Sequence, residues 1–156
     1  MSGKLIGATL VLTALIAGAA MYYFQLYAFY EEVPGDEVEI RLTSLTSDRP
    51  EPLLVDNVEA IDSGSSPLRF RACFTTGSSN VALSEEFVLY DAPEPLVAPG
   101  WFACFDAAEV GEALQAGTAL AFLAEANIRD GVDRVVAVLD DGRGFAWHQL
   151  NDTYRD

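Results

Sequence analysis

The side chains that most often act as bases, nucleophiles or metal ligands are scarce, since the chain has one histidine and two cysteines. His148 lies in the short segment Ala146–Gln149, which reads as part of a strand. A Ser–His–Asp device would require this residue, yet no GxSxG nucleophile turn accompanies it. A lone histidine in a strand is more often structural than catalytic. We therefore interpret His148 as a structural residue.

Other catalytic and metal-binding motifs are also missing from the sequence. No histidines and cysteines have the spacing of a zinc site. Asp130-Gly131 and Asp140-Asp141-Gly142 resemble fragments of calcium loops, but neither carries the ligand series of an EF-hand, and both read as turns. The glycines form neither a GxGxxG fingerprint nor a P-loop. The sequence therefore predicts a protein that is not an enzyme and holds no metal or cofactor.

The two cysteines, Cys73 and Cys104, lie in similar apolar contexts, Arg71–Phe74 and Phe102–Phe105. Two such cysteines usually pair in an oxidising compartment, so we predict a structural disulfide. A redox-active or metal-binding pair is the alternative, although neither cysteine belongs to a CxxC motif. The lack of CxxCH excludes covalent c-type haem.

A proline-rich loop spans Asp91–Trp101 and ends on an aromatic residue. Its three prolines forbid a regular helix and disfavour an internal strand. Loops of this kind often form binding surfaces, and two arginines occur together in an earlier strand. The candidate partner or ligand surface therefore comprises Pro93, Pro95, Pro99, Trp101, Arg69 and Arg71. In the alternative interpretation, the loop is a rigid connector whose Trp101 packs into the core.

The segment Leu5–Tyr30 lacks ionisable charge and is long enough to cross a bilayer, for which about 20 apolar residues suffice. Its second half collects tyrosines, which favour the membrane interface. Lys4 precedes it, and Glu31 and Glu32 follow it. The positive-inside rule then predicts a bacterial inner-membrane protein with a cytoplasmic amino terminus and a periplasmic body. The expected division is an anchor at 1–30 and a domain at 31–156.

Two features of the anchor have alternative interpretations. Ala17-Gly18-Ala19 matches a signal-peptidase site, so the segment also resembles a cleaved signal peptide, although cleavage would leave an exposed aromatic string. No cysteine stands directly after the segment, which excludes a lipoprotein. Small residues suited to helix packing in lipid recur at Gly3, Gly7, Ala14 and Gly18. Alanine and glycine are, however, common in membrane helices.

The charge of the chain is unevenly distributed. All 24 acidic residues and eight of the nine basic residues follow Tyr30, which gives this part a formal charge of −16. Such a charge argues against binding nucleic acid and against lying flat on anionic lipid. It favours basic protein partners, such as a c-type cytochrome, but solubility or adaptation to salt explains it as well.

Alternating or apolar runs predict strands at 38–42, 53–61, 68–74 and within 81–90, where a helical turn precedes the last strand. Asp106 and Glu109 resemble a capping box that begins a helix ended by Gly117. We expect Thr118 to cap a second helix, with its apolar stripe at Leu120, Leu123, Ala124 and Ile128. Val132–Leu139 and Phe145–Leu150 form the clearest hairpin. This order predicts an α+β domain with two short helices on one face of a mostly antiparallel sheet.

Two sequence strings suggest a family resemblance. Tyr90–Phe102 and Asp133–Leu139, the latter followed by Asp141–Phe145, resemble those of a family of small, uncharacterised, single-span proteins from alphaproteobacteria. The resemblance covers most of the chain and implies a bacterial inner-membrane setting. It carries no known activity and assigns no functional residue.

We consider three functional hypotheses. The first is a non-catalytic accessory or assembly subunit of an inner-membrane complex, such as a respiratory oxidase or cytochrome complex, which the anchor contacts through its small residues. The second is a free-standing, membrane-tethered binding module that uses the proline-rich loop and Trp101. The third is a thiol-handling protein that uses Cys73 and Cys104.

Overall fold

A computed structural model describes residues 2–154, and it contains an apolar amino-terminal helix followed by a body built on an antiparallel sheet. The α+β class predicted from the sequence is confirmed. The helices and strands, apart from a single 3-10 turn at Gly35–Glu37, are α1 (Gly3–Leu26), β1 (Glu31–Val33), β2 (Arg41–Thr43), β3 (Pro50–Pro52), β4 (Asp56–Asp62), β5 (Arg71–Thr75), α2 (Asn80–Glu86), α3 (Ala107–Ala116), β6 (Ala119–Arg129), β7 (Val132–Leu139) and β8 (Arg143–Leu150).

Helix α1 is long and apolar enough to cross a membrane, and none of its side chains is buried in the body. Its 24 residues correspond to a length of about 36 Å. The hydroxyls of Thr9 and Thr13 donate hydrogen bonds to the carbonyls of Leu5 and Thr9, at 2.9 and 2.8 Å. These polar side chains are therefore satisfied within the helix, as a helix in hydrocarbon requires.

The main sheet has six strands in the order β1-β4-β5-β8-β7-β6, and every neighbouring pair is antiparallel. The predicted hairpin is confirmed as β7 and β8, which pair from Val132 with Leu150 to Val138 with Gly144. Strands β2 and β3 form a separate two-stranded ribbon.

Both faces of the main sheet are covered. Consecutive residues such as Ala72 and Cys73, or Ala146 and Trp147, belong to different buried clusters. Leu83 of α2 packs in one cluster and Val110 of α3 in the other. Because neighbouring strand residues face opposite sides, the two helices lie on opposite faces, and the expectation of helices on one face is wrong.

The second helix expected after Gly117 is wrong, because Ala119–Arg129 is strand β6. Thr118 instead ends α3: its backbone N–H donates to the carbonyl of Ala113, and Gly117 adopts a φ of 74°. This arrangement is a Schellman motif. β6 is apolar on both faces because both faces are covered, and such a run also matches helical spacing.

Three predicted strands are shifted toward later residues, at β2, β4 and β5. The alternation at 38–42 did identify the buried side chains of Ile40 and Leu42. The helical turn predicted within 81–90 is confirmed as α2. The strand predicted after it is reduced to two isolated bridges, one from Phe87 to Ser44, next to β2, and one from Leu89 to Phe122 of β6.

The predicted Cys73–Cys104 disulfide is present and closes a loop with a sequence separation of 31 residues. Cys73 is 7% exposed on β5, and Cys104 follows the proline-rich loop. The bond therefore fastens the end of this loop to the middle of the sheet.

Replacing both Cys73 and Cys104 with serine should lower the free energy of unfolding by about 3–4 kcal/mol, because the open chain gains loop entropy. Urea denaturation of the oxidised protein and of the variant measures the difference. Reduction of the wild-type protein should reproduce the loss, and equal stability of all three samples would contradict the prediction.

Candidate functional site

The end of α1 is fixed to the body by contacts around Trp101. The indole stacks on Tyr27 with ring centroids 6.1 Å apart and meets Tyr30 edge-on at 6.2 Å. Its Nε1 donates a hydrogen bond to the carbonyl of Leu26, in the last turn of α1. Because the last carbonyls of a helix have no partner within the helix, Trp101 caps α1 from the body.

Arg69 completes these contacts. Its guanidinium lies 5.7 Å from the ring centroid of Phe29 and 5.3 Å from that of Tyr30, within the range of cation–π attraction. Strand β1 begins at Glu31, so only four residues separate the end of α1 at Leu26 from the sheet. We call the six residues that join them the junction: Leu26, Tyr27, Phe29, Tyr30, Arg69 and Trp101.

The structure does not bring the predicted partner surface together as one exposed face. Trp101, Pro93 and Pro95 are half-buried, and Pro99 is buried. Arg69 contacts the helix end, as described above. Arg71 is only 3% exposed and lies beneath the loop. Arg71, which was predicted to belong to a partner or ligand surface, is thus buried, because the sheet face that carries it is covered.

Arg71 holds the proline-rich loop through main-chain carbonyls. Its Nε donates to Leu96 at 2.8 Å and its Nη2 to Val97 at 3.2 Å, while Nη1 donates to Leu68 and Phe70. Burial lowers the pKa of Arg71 to about 10, so the group stays charged at neutral pH. Four of its donors are therefore used to position backbone.

Gln149, which the sequence interpretation did not single out, holds the other end of this loop. Its Nε2 donates to the carbonyl of Ala92 at 3.0 Å, and its Oε1 accepts from the backbone N–H of Glu94 at 2.8 Å. The Trp147 indole donates to the same oxygen at 3.0 Å. Gln149 is 1% exposed. A glutamine at an inward position of the hairpin was the available signal, since a buried amide needs partners.

A second set of polar contacts is centred on His148. Its Nδ1 lies 2.6 Å from the carbonyl of Pro67, and its Nε2 lies 3.0 Å from Nε of Arg134. Because a carbonyl only accepts, Nδ1 carries the proton and Nε2 accepts from Arg134. Burial, reinforced by the charge of Arg134, lowers the pKa of His148 to about 4. Both ring nitrogens are occupied, which supports the structural interpretation of this histidine.

The guanidinium of Arg134 has a fixed position. It lies 4.0 Å from the ring centroid of Phe70, on which His148 also stacks at 4.8 Å. Burial lowers its pKa, and within residues 2–154 no carboxylate forms an ion pair with it. Arg134 and His148 line an open cleft of about 420 Å³ with Arg129, Asp130, Asp62, Ser63, Gly64, Ser66, Pro67 and Ile128.

The ends of the sheet differ in charge. The cleft lies at the helix-proximal end, where Glu31 of β1 is the register partner of Asp62. The helix-distal end, at the β7–β8 turn, has a recess lined by Glu109, Glu112, Asp140, Asp141 and Arg143. Arg143 is the one cation in this recess, and it pairs with Asp141 at 2.8 Å and Glu109 at 2.9 Å. The helix-distal end is therefore acidic.

The small residues of α1 share one side of the helix. At 100° per residue, Gly3, Gly7, Ala14 and Gly18 fall within about 60° of arc. All four are exposed, and a Cβ placed on any of the three glycines would contact nothing.

No group of three or more metal-ligating side chains occurs within residues 2–154.

A family model matches residues 40–156, which is most of the chain. The protein belongs to the family of unknown function DUF6446. The matched region contains the body from just before β2, including Arg69, Trp101 and the His148 cleft, whereas α1 lies outside it. No curated protein and no solved structure matches the chain.

Acidification should destabilise the protein through His148. The unfolded histidine titrates near 6.5 and the folded one at about 4, so the unfolded state binds more protons between these values. This stability is present above pH 6.5 and is lost as the pH falls, by about 2–3 kcal/mol at pH 4.5. Urea denaturation gives the free energy of unfolding of wild type and of His148→Gln at several pH values between 7 and 4.5. The contribution of His148 is the difference between the two proteins in how much this free energy falls over that range.

Carboxylates contribute equally to both proteins, so they cancel in this comparison. NMR titration of the single histidine gives the folded pKa without any substitution. Equal pH slopes for the two proteins, or a pKa near 6.5, would show that the contacts with Pro67 and Arg134 are not maintained in solution.

Proposed function

We propose that this DUF6446 protein is a non-catalytic accessory or assembly subunit of an inner-membrane complex, anchored through α1 as a single transmembrane helix. Lys4 precedes the apolar segment, and Glu31 and Glu32 follow it. By the positive-inside rule, the amino terminus is cytoplasmic and the acidic body is periplasmic. The resemblance to small single-span proteins of alphaproteobacteria supports the same compartment.

The observation that carries this proposal is the short junction, whose connecting residues contact the body. In a tethered module that binds soluble ligands, a flexible linker increases the volume that the binding domain can sample. Here the chain passes from α1 to β1 through four residues, and Trp101 and Arg69 hold them from the body. The orientation of the body relative to the helix is thereby set. A fixed orientation suits a subunit that contacts one complex with both its helix and its body.

The two contact surfaces differ in chemistry. In the membrane, the small-residue side of α1 allows the backbone of a neighbouring helix to approach closely. In the periplasm, the acidic helix-distal end attracts a basic protein, for which a soluble c-type cytochrome is the example that we favour. A respiratory oxidase or cytochrome complex is accordingly the host that we expect.

Enlarging the small-residue side of α1 should release the protein from its complex. Ala14→Leu fills that side, whereas Ala20→Leu makes the same change about 120° away around the helix. Both positions are exposed, so the body should fold in both variants. We expect Ala14→Leu to lower the yield of co-purified membrane proteins several-fold and Ala20→Leu to leave it near wild type, as measured by quantitative mass spectrometry after tagged purification in mild detergent.

Two results would contradict the proposal. One is repeated recovery of the wild-type protein alone, and the other is equal partner yield from the two variants. Mass analysis of the same samples shows whether the amino terminus has been removed after Ala19, as the signal-peptide interpretation requires.

Inserting Gly-Ser-Gly-Ser between Tyr30 and Glu31 should keep the protein in the membrane but weaken the complex. The insertion separates α1 from β1, so the body no longer has a set orientation. The matched control carries the same four residues at its carboxyl terminus. Partner yield should fall only in the junction variant, while the thermal unfolding midpoints of both stay close to wild type. Unchanged yield in the junction variant would favour a freely tethered module.

A further inference from the structure

Of the seven arginines that the structure describes, two form ion pairs with carboxylates. Arg41 pairs with Glu39, and Arg143 pairs with Asp141 and Glu109. At the helix-proximal end, neither Arg129 nor Arg134 has a carboxylate within ion-pair distance inside residues 2–154. Arg71 donates to main-chain carbonyls and Arg69 lies over aromatic rings, whereas Arg129 and Arg134 line one open cleft, where an anionic ligand has access to them.

Arg134 is positioned in advance to receive such an anion. The Phe70 ring and the Nε2 atom of His148 together fix the guanidinium plane. The bond to His148 uses only Nε, which leaves the hydrogens on Nη1 and Nη2. A guanidinium held in this way presents a planar pair of donors, the geometry that binds a phosphate group with two parallel hydrogen bonds.

The charged side chains that line the cleft are equal in number for the two signs. Arg129 and Arg134 supply two positive charges, and Asp62 and Asp130 supply two negative charges. Asp62 accepts a hydrogen bond from the N–H of Ser63, and Asp130 accepts one from the hydroxyl of Tyr154. A free dianion would meet repulsion from the carboxylates. The lining therefore suits a ligand that itself carries one anionic and one cationic group.

The cleft also lies where the chain leaves the membrane. Glu31, the register partner of Asp62, follows Tyr30 of the junction. Arg69, whose side chain lies over Tyr30, immediately precedes Phe70, which supports Arg134. The headgroup layer of a bilayer leaflet is about 5–8 Å thick. With the aromatic end of α1 in the interface, Asp62 lies at the depth of the lipid headgroups.

We propose that this cleft binds the headgroup of a zwitterionic phospholipid of the ethanolamine type, with its phosphate on Arg134 and Arg129 and its ammonium on Asp62 and Asp130. The inference rests on the membrane insertion of α1 that the proposed function includes. An ethanolamine ammonium has N–H donors for the two carboxylates, whereas a choline headgroup has none. A glycerol headgroup supplies no positive charge. The cleft thus discriminates among phospholipids by the group beyond the phosphate.

Lipid titration of the full-length chain tests this inference. The protein in maltoside detergent is mixed with dihexanoyl phosphatidylethanolamine, phosphatidylcholine or phosphatidylglycerol, and native mass spectrometry counts the lipids retained. We expect one ethanolamine lipid per chain, with an affinity about tenfold above that of the other two lipids. Equal retention of all three lipids would overturn the proposal.

Matched variants separate the site from general lipid adhesion. Arg129 is exposed, so Arg129→Gln should fold normally and lower the ethanolamine-lipid affinity about fivefold or more. Arg143→Gln makes the same change at the helix-distal end and should have no effect. Arg134→Lys keeps the charge but loses the paired donors, and we expect it to weaken binding as well. An Arg129→Gln variant that binds like wild type would overturn the proposal.

Two soluble probes identify the source of the headgroup. Inorganic phosphate should bind weakly, because it lacks the ammonium group, and binding as tight as that of the lipid would contradict the zwitterionic assignment. Binding of glycerophosphoethanolamine without binding of the lipid would overturn the lipid assignment. These measurements use the isolated chain, so their result does not depend on whether α1 has partners in a complex.

Discussion

The covering of both faces of the sheet is the constraint on which the rest of the structure depends. A polar side chain that points from such a sheet cannot reach bulk water, so the segments above it must supply its hydrogen bonds. Arg71 and Gln149 meet this requirement through the backbone of the proline-rich loop. The loop in turn brings Trp101 against the end of α1 and ends at the Cys73–Cys104 disulfide. Satisfying two buried polar groups therefore also sets the direction in which the helix leaves the body.

The charge of the body also changes from its helix-proximal end to its helix-distal end. The −16 charge is not spread evenly, because carboxylates dominate the helix-distal recess, whereas the cleft at the helix-proximal end combines two arginines with two aspartates. A negative body is repelled by an anionic membrane surface. Mixed charges next to the junction lower the net negative charge at the end of the body that adjoins α1. The two ends of one small domain therefore differ in charge.

The parts that were predictable from sequence are those governed by local chemistry. The β7–β8 hairpin follows from two apolar runs around an Asp-Gly turn, and α3 follows from its Asp106 cap and terminal Gly117. The disulfide follows from there being only two cysteines. Two misassignments have one cause. β6 was interpreted as a helix and Arg71 as part of a partner surface because alternation and periodicity assume one covered face, whereas this sheet has two.

The sequence by itself determined that an apolar segment of membrane-spanning length precedes an acidic α+β body with one cysteine pair, because length, charge and turn residues act over short stretches of chain. Only the tertiary structure decided which distant residues meet. The approach of Arg134 to His148 and Phe70, of Gln149 to Ala92, and of Trp101 to Leu26 depends on strand order and on the path of an irregular loop. No spacing in the sequence encodes these contacts, because each joins segments that become neighbours only when the sheet is assembled and covered.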